Sequence, residues 1–231
     1  MLVLAVDTTT RFGSVALVSE EKLIAEVNYA SPSSHSRQVF QALDEVFKVA
    51  AEDLKHLDGL AVAAGPGSFT GIRIGLSLVK ALALASKKPV ARISALEALA
   101  WKLALPGVDL IVPMVDARKG EIFACAFKVV NSQLEEIIRP GAYDPEVFLG
   151  LLPGDHSIHF IGTGVNQFWP LINAGLGQRA KVTGRSCHIA AEVGKLGLEI
   201  LNKGKGFLPE ELEPIYYRKS QAEEKKSGKT E

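Results

Sequence analysis

Ala64-Gly65-Pro66-Gly67-Ser68-Phe69-Thr70-Gly71-Ile72-Arg73 is the stretch on which the reading of this chain turns. A short apolar run, Gly59 to Ala63, precedes it with the look of a strand, and an apolar helical segment ending near Ser86 follows it. A glycine-rich turn between strand and helix suits an anion, because backbone N–H groups and the helix N-terminus converge there. The details exclude the two commonest versions of that chemistry. A P-loop places Lys directly after its second glycine, yet here Ile72 follows Gly71 and no lysine appears before Lys80. A G-x-S-x-G nucleophile elbow needs one residue on each side of the serine, and Gly67 directly precedes Ser68.

Working outward, strands are expected over Leu2–Val6 and Ser14–Val18, joined by the polar turn Asp7 to Gly13, with Lys22–Tyr29 continuing the meander. Ser33 and Ser34 are N-cap candidates for a helix with apolar positions Val39, Phe40, Leu43, Val46, Phe47 and Ala50. Pro89–Ile93 reads as a strand, and Ser94-Ala95-Leu96-Glu97 as a capping box opening a helix to about Ala104. Leu105-Pro106-Gly107 is the best boundary between lobes.

The pattern then partly restarts. Leu110 to Asp116 repeats the strand ending in Asp of Leu2 to Asp7. Ala117 to Gly120 is the turn, Glu121–Val130 the return strand and Gln133–Ile138 a third. Asp144-Pro145 pairs an N-cap with proline at the first helical position. Ile158–Ile161 ends at Gly162-Thr163-Gly164. Ser186 is expected to start a helix striped by Ile189, Val193, Leu196 and Ile200 and stopped by Gly204. Duplication of one α/β unit and a coincidence of acidic hairpins both fit this pattern. Residues 1–106 and 107–217 are expected as two lobes, with the last residues free to pack back on the first, and 218–231 as a polar, mobile tail.

At 231 residues the chain suits two compact lobes. Lys plus Arg equals Asp plus Glu at 26 each, so no global field draws nucleic acid or an anionic membrane. Cys125 and Cys187 belong to no C-x-x-C and read as reduced, buried thiols. Arg73 and Lys80 interrupt the most apolar segment, no signal peptide opens the chain, and a cytoplasmic location is expected.

Val6-Asp7-Thr8-Thr9, the glycine loop Gly65 to Arg73 and Pro214-Ile215-Tyr216-Tyr217-Arg218 together strongly resemble the bacterial TsaB (YeaZ) family over nearly the whole chain. The resemblance implies a duplicated actin-like, hexokinase-like α/β fold of two lobes, the ribonuclease H-like ASKHA class. It implies a non-catalytic scaffold that organises the catalytic paralogue TsaD, with the small ATPase TsaE. That assembly forms threonylcarbamoyladenosine at position 37 of tRNAs reading codons beginning with A. The chain would pair with TsaD as a heterodimer and with itself when alone, and would meet tRNA only through the complex. In the paralogue, the segment matching Ile93 to Leu99 carries a His-x-x-x-His metal pair, one helical turn apart. Ala95 and Leu99 stand at those positions here and have no lone pair to offer, and His35, His56, His156, His159 and His188 include no i,i+4 pair. No metal and no catalytic residue are expected.

Each remaining motif carries two readings. Asp7, Thr8 and Thr9, with Asp116 in the second half and Gly162 and Gly164, occupy the places where this fold holds a nucleotide; all could equally be hairpin and turn residues. A vestigial site binding ATP or ADP weakly is the functional version, and no nucleotide would be required. Gly71 and Gly75 lie one turn apart with Ser68 beside them, so a partner helix could approach closely, with Phe69, Thr70, Ile72, Leu76 and Val79 supplying area and Phe40 and Phe47 extending it. These residues could instead pack on their own sheet. An ATP-using phosphotransferase of the same fold is the enzyme alternative, and a glycoprotease-like peptidase using Ser68 the weaker one.

Overall fold

The computed structural model describes residues 1–31, 35–131, 133–154 and 156–218. Ser33, Ser34 and residues 219–231 of the expected tail lie outside them.

The first half of the chain runs β1 (Leu2–Asp7), β2 (Phe12–Ser19), β3 (Leu23–Ala30), α1 (Ser36–Ala50), β4 (Gly59–Ala63), α2 (Phe69–Ser86), β5 (Val90–Ile93) and α3 (Ala95–Trp101). The second runs β6 (Leu110–Arg118), β7 (Glu121–Val130), β8 (Gln133–Tyr143), α4 (Pro145–Gly150), β9 (Ile158–Ile161), α5 (Thr163–Leu176), β10 (Ala180–Val182) and α6 (Ala190–Asn202). The sheets have strand orders β3-β2-β1-β4-β5 and β10-β9-β6-β7-β8. Each half therefore builds the same sheet. Its first three strands form an antiparallel meander, and its fourth and fifth join in parallel beside the first. Identical order and identical sense in both halves settle the duplication that the acidic hairpins only suggested.

Five layers result. Helices α1 and α2 cover the outer face of the first sheet, where Val39, Leu43, Val46, Ile72, Leu76 and Val79 meet Leu4, Val6, Leu17 and Val62. Helices α4 and α5 cover the outer face of the second, around Phe148, Phe160, Val165 and Ile172. Between the sheets lie α3 and α6, and they are exchanged. Helix α6, from the second half, packs on β1, β2, β4 and β5, while α3, from the first, packs on β6, β7 and β8. The lobe boundary at 106/107 is thus crossed by whole helices, not by the last residues alone. Lys102 at the end of α3 ties the pair, its Nζ donating to the His188 carbonyl at 2.6 Å and to Glu192 Oε2 at 2.9 Å.

Most expected elements stand where the periodicity placed them, and the exceptions have local causes. Helix α1 starts at Ser36 with His35 at its N-cap position making no side-chain cap bond. Helix α6 starts at Ala190, not Ser186, because its cap comes from across the chain: the Ala190 N–H donates to Ser14 Oγ of β2 at 3.0 Å. Helix α3 stops at Trp101, three residues short of expectation, and β8 continues through Pro140 to Tyr143. Proline is tolerated there because β8 is a sheet edge, where one N–H fewer breaks no ladder. Helix α5 and β10 were not expected. Pro170 and two glycines depress helix propensity in α5, yet Val165, Phe168, Ile172 and Leu176 keep the helical stripe.

Helix α2 is long and apolar enough to span a membrane by length and composition. In the fold it is a layer on the first sheet.

Candidate functional site: the cleft between the halves

A cleft of about 790 Å³ opens where the two sheets end. Its walls come in matching pairs. From the first half come the β1–β2 turn, with Thr9, Thr10, Arg11 and Phe12, and the glycine loop from Pro66 to Thr70. From the second come Val115 to Arg118 and the start of α5, with Gly162, Thr163, Asn166 and Gln167.

The two hairpin turns are built alike. The Asp7 Oδ1 accepts from the Thr9 N–H at 2.9 Å and the Thr9 hydroxyl at 2.7 Å. The Asp116 Oδ1 accepts from the Arg118 N–H at 2.8 Å. In both, an aspartate at the strand end folds the backbone two residues on, which is the structural role the hairpin reading gave it. Asp7 is wholly buried, its Oδ2 has no hydrogen-bond partner among the described residues, and burial raises its pKa to about 6 against the opposing bonds from Thr9. It lies beneath the cleft and does not line it, and the same is true of Thr8 and Gly164; Thr9, Asp116 and Gly162 do line it. No cluster of three His, Cys, Asp or Glu side chains suited to a metal occurs among the described residues.

The glycine loop is shaped by the turn it presses on. Any side chain at Gly67, whose φ is +158°, would run into the Thr9 carbonyl oxygen, and the Ser68 N–H donates to that same oxygen at 2.6 Å. A β-carbon at Gly71 would overlap the Thr8 carbonyl oxygen, and one at Gly75 would come within 2.5 Å of Thr8 Oγ1, which itself donates to the Gly71 carbonyl at 2.7 Å. The small residues permit a close approach of α2 to its own β1–β2 turn. Gly71, Ile72, Gly75, Leu76 and Val79, expected on a docking face, are all buried within the lobe. Ser68 is the N-cap of α2, its Oγ accepting from the Gly71 N–H at 3.2 Å. Phe40 is 55% exposed on α1, Phe47 is half-buried beside it, and Phe69 and Thr70 turn to the cleft mouth.

The closing segment, expected only to pack back on the first lobe, touches both halves. After α6, Phe207 bridges to Val90, the Ile215 N–H donates to the Ala64 carbonyl at 2.8 Å, and Ile215 to Arg218 run along the cleft. Tyr216 stacks on Phe69 at 5.2 Å between ring centres. Arg73 lies 3.8 Å over the same Phe69 ring, and its Nε donates to the Tyr216 hydroxyl at 3.4 Å. On the other side, Tyr217 leans on Phe123 and Arg218 pairs with Glu121 Oε2 at 2.6 Å. Burial pushes the Tyr217 hydroxyl up to about 12. Arg218, expected at the start of a mobile tail, is instead an anchor that ties the segment to the second half. Cys187 also faces the cleft, half-buried, its thiol raised by burial, while Cys125 is in the core; neither forms a disulfide.

Two matching sheets, exchanged central helices and a cleft between paired acidic hairpins define a protein of the duplicated actin-like class. Residues 27–197 match the family described as "TsaD: tRNA N6-adenosine threonylcarbamoyltransferase". The tRNA threonylcarbamoyladenosine biosynthesis protein TsaB of Escherichia coli is 27% identical over 99% of this chain and 100% of its own length. That of Haemophilus influenzae is 31% identical over 71% of this chain and 72% of its own. Among solved structures, YeaZ from Pseudomonas aeruginosa superposes with a TM-score of 0.79 at 24% identity, covering 93% of this chain and 99% of that one. The ROK hexokinase of Thermus thermophilus shares the fold at a TM-score of 0.50 and 10% identity, covering 88% and 100%. The chain belongs to the TsaB (YeaZ) family of tRNA threonylcarbamoyladenosine biosynthesis.

Proposed function

We propose that this chain is a non-catalytic scaffold that pairs with the catalytic paralogue TsaD, and with the ATPase TsaE, for threonylcarbamoyl transfer to position 37 of tRNA in the cytoplasm. The observation that carries this reading is α3. Ala95 and Leu99, at the positions where the paralogue's metal-binding histidines would stand, are 1% and 2% exposed and belong to the core between the sheets. They have no donor atoms to give, and the space around them is filled.

Docking falls to the outer layer of the first half. With Gly71, Ile72, Gly75, Leu76 and Val79 turned inward, the surface left for a partner is Phe40 with Phe47 on α1 and the outward side of α2, including Leu84. An exposed phenylalanine in such a position is a natural anchor, because a few buried aromatics carry most interface energy. The same face serves self-association when the paralogue is absent, and tRNA is met within the complex.

The test is reconstitution. The chain alone transfers no threonylcarbamoyl to tRNA, whereas its addition to the paralogue and the ATPase raises transfer. Phe40→Asp keeps its melting temperature but loses pairing by light scattering. Transfer by the isolated chain, or undiminished pairing of the folded variant, refutes the reading.

The cleft supports a second reading, an ATP-using enzyme of the same fold. The Thr10 side chain and the N-terminal turns of α2 and α5 open onto it, an arrangement that attracts phosphate. Against turnover stands the buried, Thr9-bonded Asp7, which leaves the first half without a carboxylate at the cleft surface. Weak ATP or ADP binding fits this geometry without being required for the scaffold role.

A further inference from the structure

The mouth of the cleft carries arginines and aromatic rings in a composition the rest of the surface does not explain. Arg11, Arg118 and Arg218 line the cleft with Phe12, Phe69, Phe123, Tyr216 and Tyr217, and Asp116 is the only carboxylate lining it among the described residues. Arg218 is neutralised by Glu121, so the local excess that whole-chain neutrality conceals rests on Arg11, Arg118 and the neighbouring Arg73.

Two features show that the lip is shaped, not merely basic. At the β6–β7 hairpin tip, Arg118 has φ +65° and Lys119 φ +55°, ahead of Gly120 at +82°. The pairing of β6 with β7 shifts register between Asp116 and Arg118. A non-glycine residue held left-handed costs about 1 kcal/mol, and bulges of this kind re-aim a side chain beside a site. Here the bulge leaves Arg118 84% exposed at the cleft, with Asp116 only at 3.8 Å. Across the mouth, Arg73, Phe69 and Tyr216 form a preassembled stack, Tyr216 remaining 39% exposed. Arg11 lies over Phe12 at 4.7 Å on the neighbouring turn.

We propose that this lip holds single-stranded RNA, its backbone phosphates along Arg11, Arg73 and Arg118 and an unpaired base on the Phe69–Tyr216 stack. The proposal rests on the scaffold reading and adds where RNA is touched within the assembly. Arginine recognises phosphate through its planar fork, and stacking on aromatics is the general way that unpaired bases are held, since every base has a flat face. An acidic protein segment would use the arginines, but only a chain of flat bases makes stacking on the aromatics its regular mode of contact.

The experiment is fluorescence anisotropy of a labelled twelve-nucleotide single-stranded RNA with the full chain, in a salt series. Binding at low salt with a Kd between about 1 and 100 µM is expected, and three phosphate contacts on a single strand give a log–log salt slope near 2. Arg118→Asn, which keeps a residue tolerant of left-handed backbone, and Arg73→Gln each lower the slope by about 0.7. Tyr216→Ala weakens binding roughly tenfold at every salt without changing the slope, and Tyr216→Phe restores it. Lys203→Gln, at the far end of α6, changes neither. No RNA binding up to 500 µM protein, an unaltered slope in both arginine variants, equal competition by polyglutamate of the same charge, or full displacement by equimolar ATP each overturns the proposal. Light scattering with the paralogue, run on the same variants, separates this outcome from failure of the scaffold reading: pairing persists in them if the scaffold reading is right, whatever the RNA does.

Discussion

The inward direction of the small-residue stripe on α2 makes a prediction that changes sign with its neighbour. Gly75→Ala adds a methyl group 2.5 Å from Thr8 Oγ1 and 3.7 Å from Val62 Cγ2. Overpacking of this kind costs about 1–3 kcal/mol, while alanine in a helix interior is about 1 kcal/mol better than glycine. The single variant should therefore lose about 1 kcal/mol, a drop of roughly 2–4 °C in Tm for a chain of this size. Thr8→Ala removes the obstructing hydroxyl along with its hydrogen bond to Gly71, at a cost of about 1 kcal/mol. In that background the clash is gone, and Gly75→Ala should now stabilise by about 1 kcal/mol through helix propensity. The two sites are thus coupled by about 2 kcal/mol, well beyond the ~0.5 kcal/mol within which independent sites add. Gly71→Ala is the control: its obstruction is the Thr8 backbone carbonyl, so Thr8→Ala gives no relief. Urea unfolding and thermal melts of the four cycle members, read by circular dichroism, supply the numbers. Additivity, or a wild-type chain made more stable by Gly75→Ala, would mean that the stripe faces outward after all.

Asp7 gives a pH signature. Its pKa, raised from 3.8 to about 6 in the folded state, means that the fold binds its proton more tightly than the unfolded chain does, so this group's contribution is full below pH 4 and is lost as pH rises through 6. Asp7→Asn should accordingly gain stability over wild type by about 3 kcal/mol at pH 7.5 and little at pH 4; a difference that does not vary with pH refutes the buried carboxylate. Nucleotide binding can be read from melting: a micromolar ATP site at millimolar ligand would add about 4 kcal/mol, and the scaffold reading expects far less with Mg²⁺ present. Metal analysis of protein purified without chelator should find no stoichiometric zinc or iron, and a full equivalent would contradict the reading of Ala95 and Leu99.

Much of this architecture was legible because burial on a sheet imposes period two and burial of one helix face imposes 3.6. The first strand to Asp7, the strand through Asp116 (which continues to Arg118) and the amphipathic stripe of α1 were recovered in this way. The losses came where the determining partner lies far off in sequence. Nothing near Ser186 says that Ser14 will cap α6. In α2 the signal was present but weak: Arg73, Ser77 and Lys80, spaced i, i+4, i+7, share the side opposite Gly71 and Gly75 and mark the outward face of an otherwise apolar helix. Helix α5 was hidden by Pro170, although the duplication itself pointed to it: a helix follows the glycine turn in the first half, and Gly162 opens the same turn in the second. The cleft was half visible. Thr9, Asp116 and Gly162, named from the sequence, line the cleft; Arg11 and Phe12 line it from the same β1–β2 turn without having been singled out, and Tyr216 and Tyr217 reach it only because the chain returns from α6 across both halves.

The exchange of α3 and α6 has a consequence for how the molecule can come apart. Each half of the chain holds the inner cover of the other's sheet, so neither can keep its apolar inner face dry alone. A cut at Gly107 would leave two fragments, each with one naked sheet, that regain structure only by reassociating. Heat or denaturant therefore meets a single cooperative unit rather than a hinged pair of independent bodies. An evolutionary duplicate of this kind, once its helices have crossed, can no longer be undone by losing either copy.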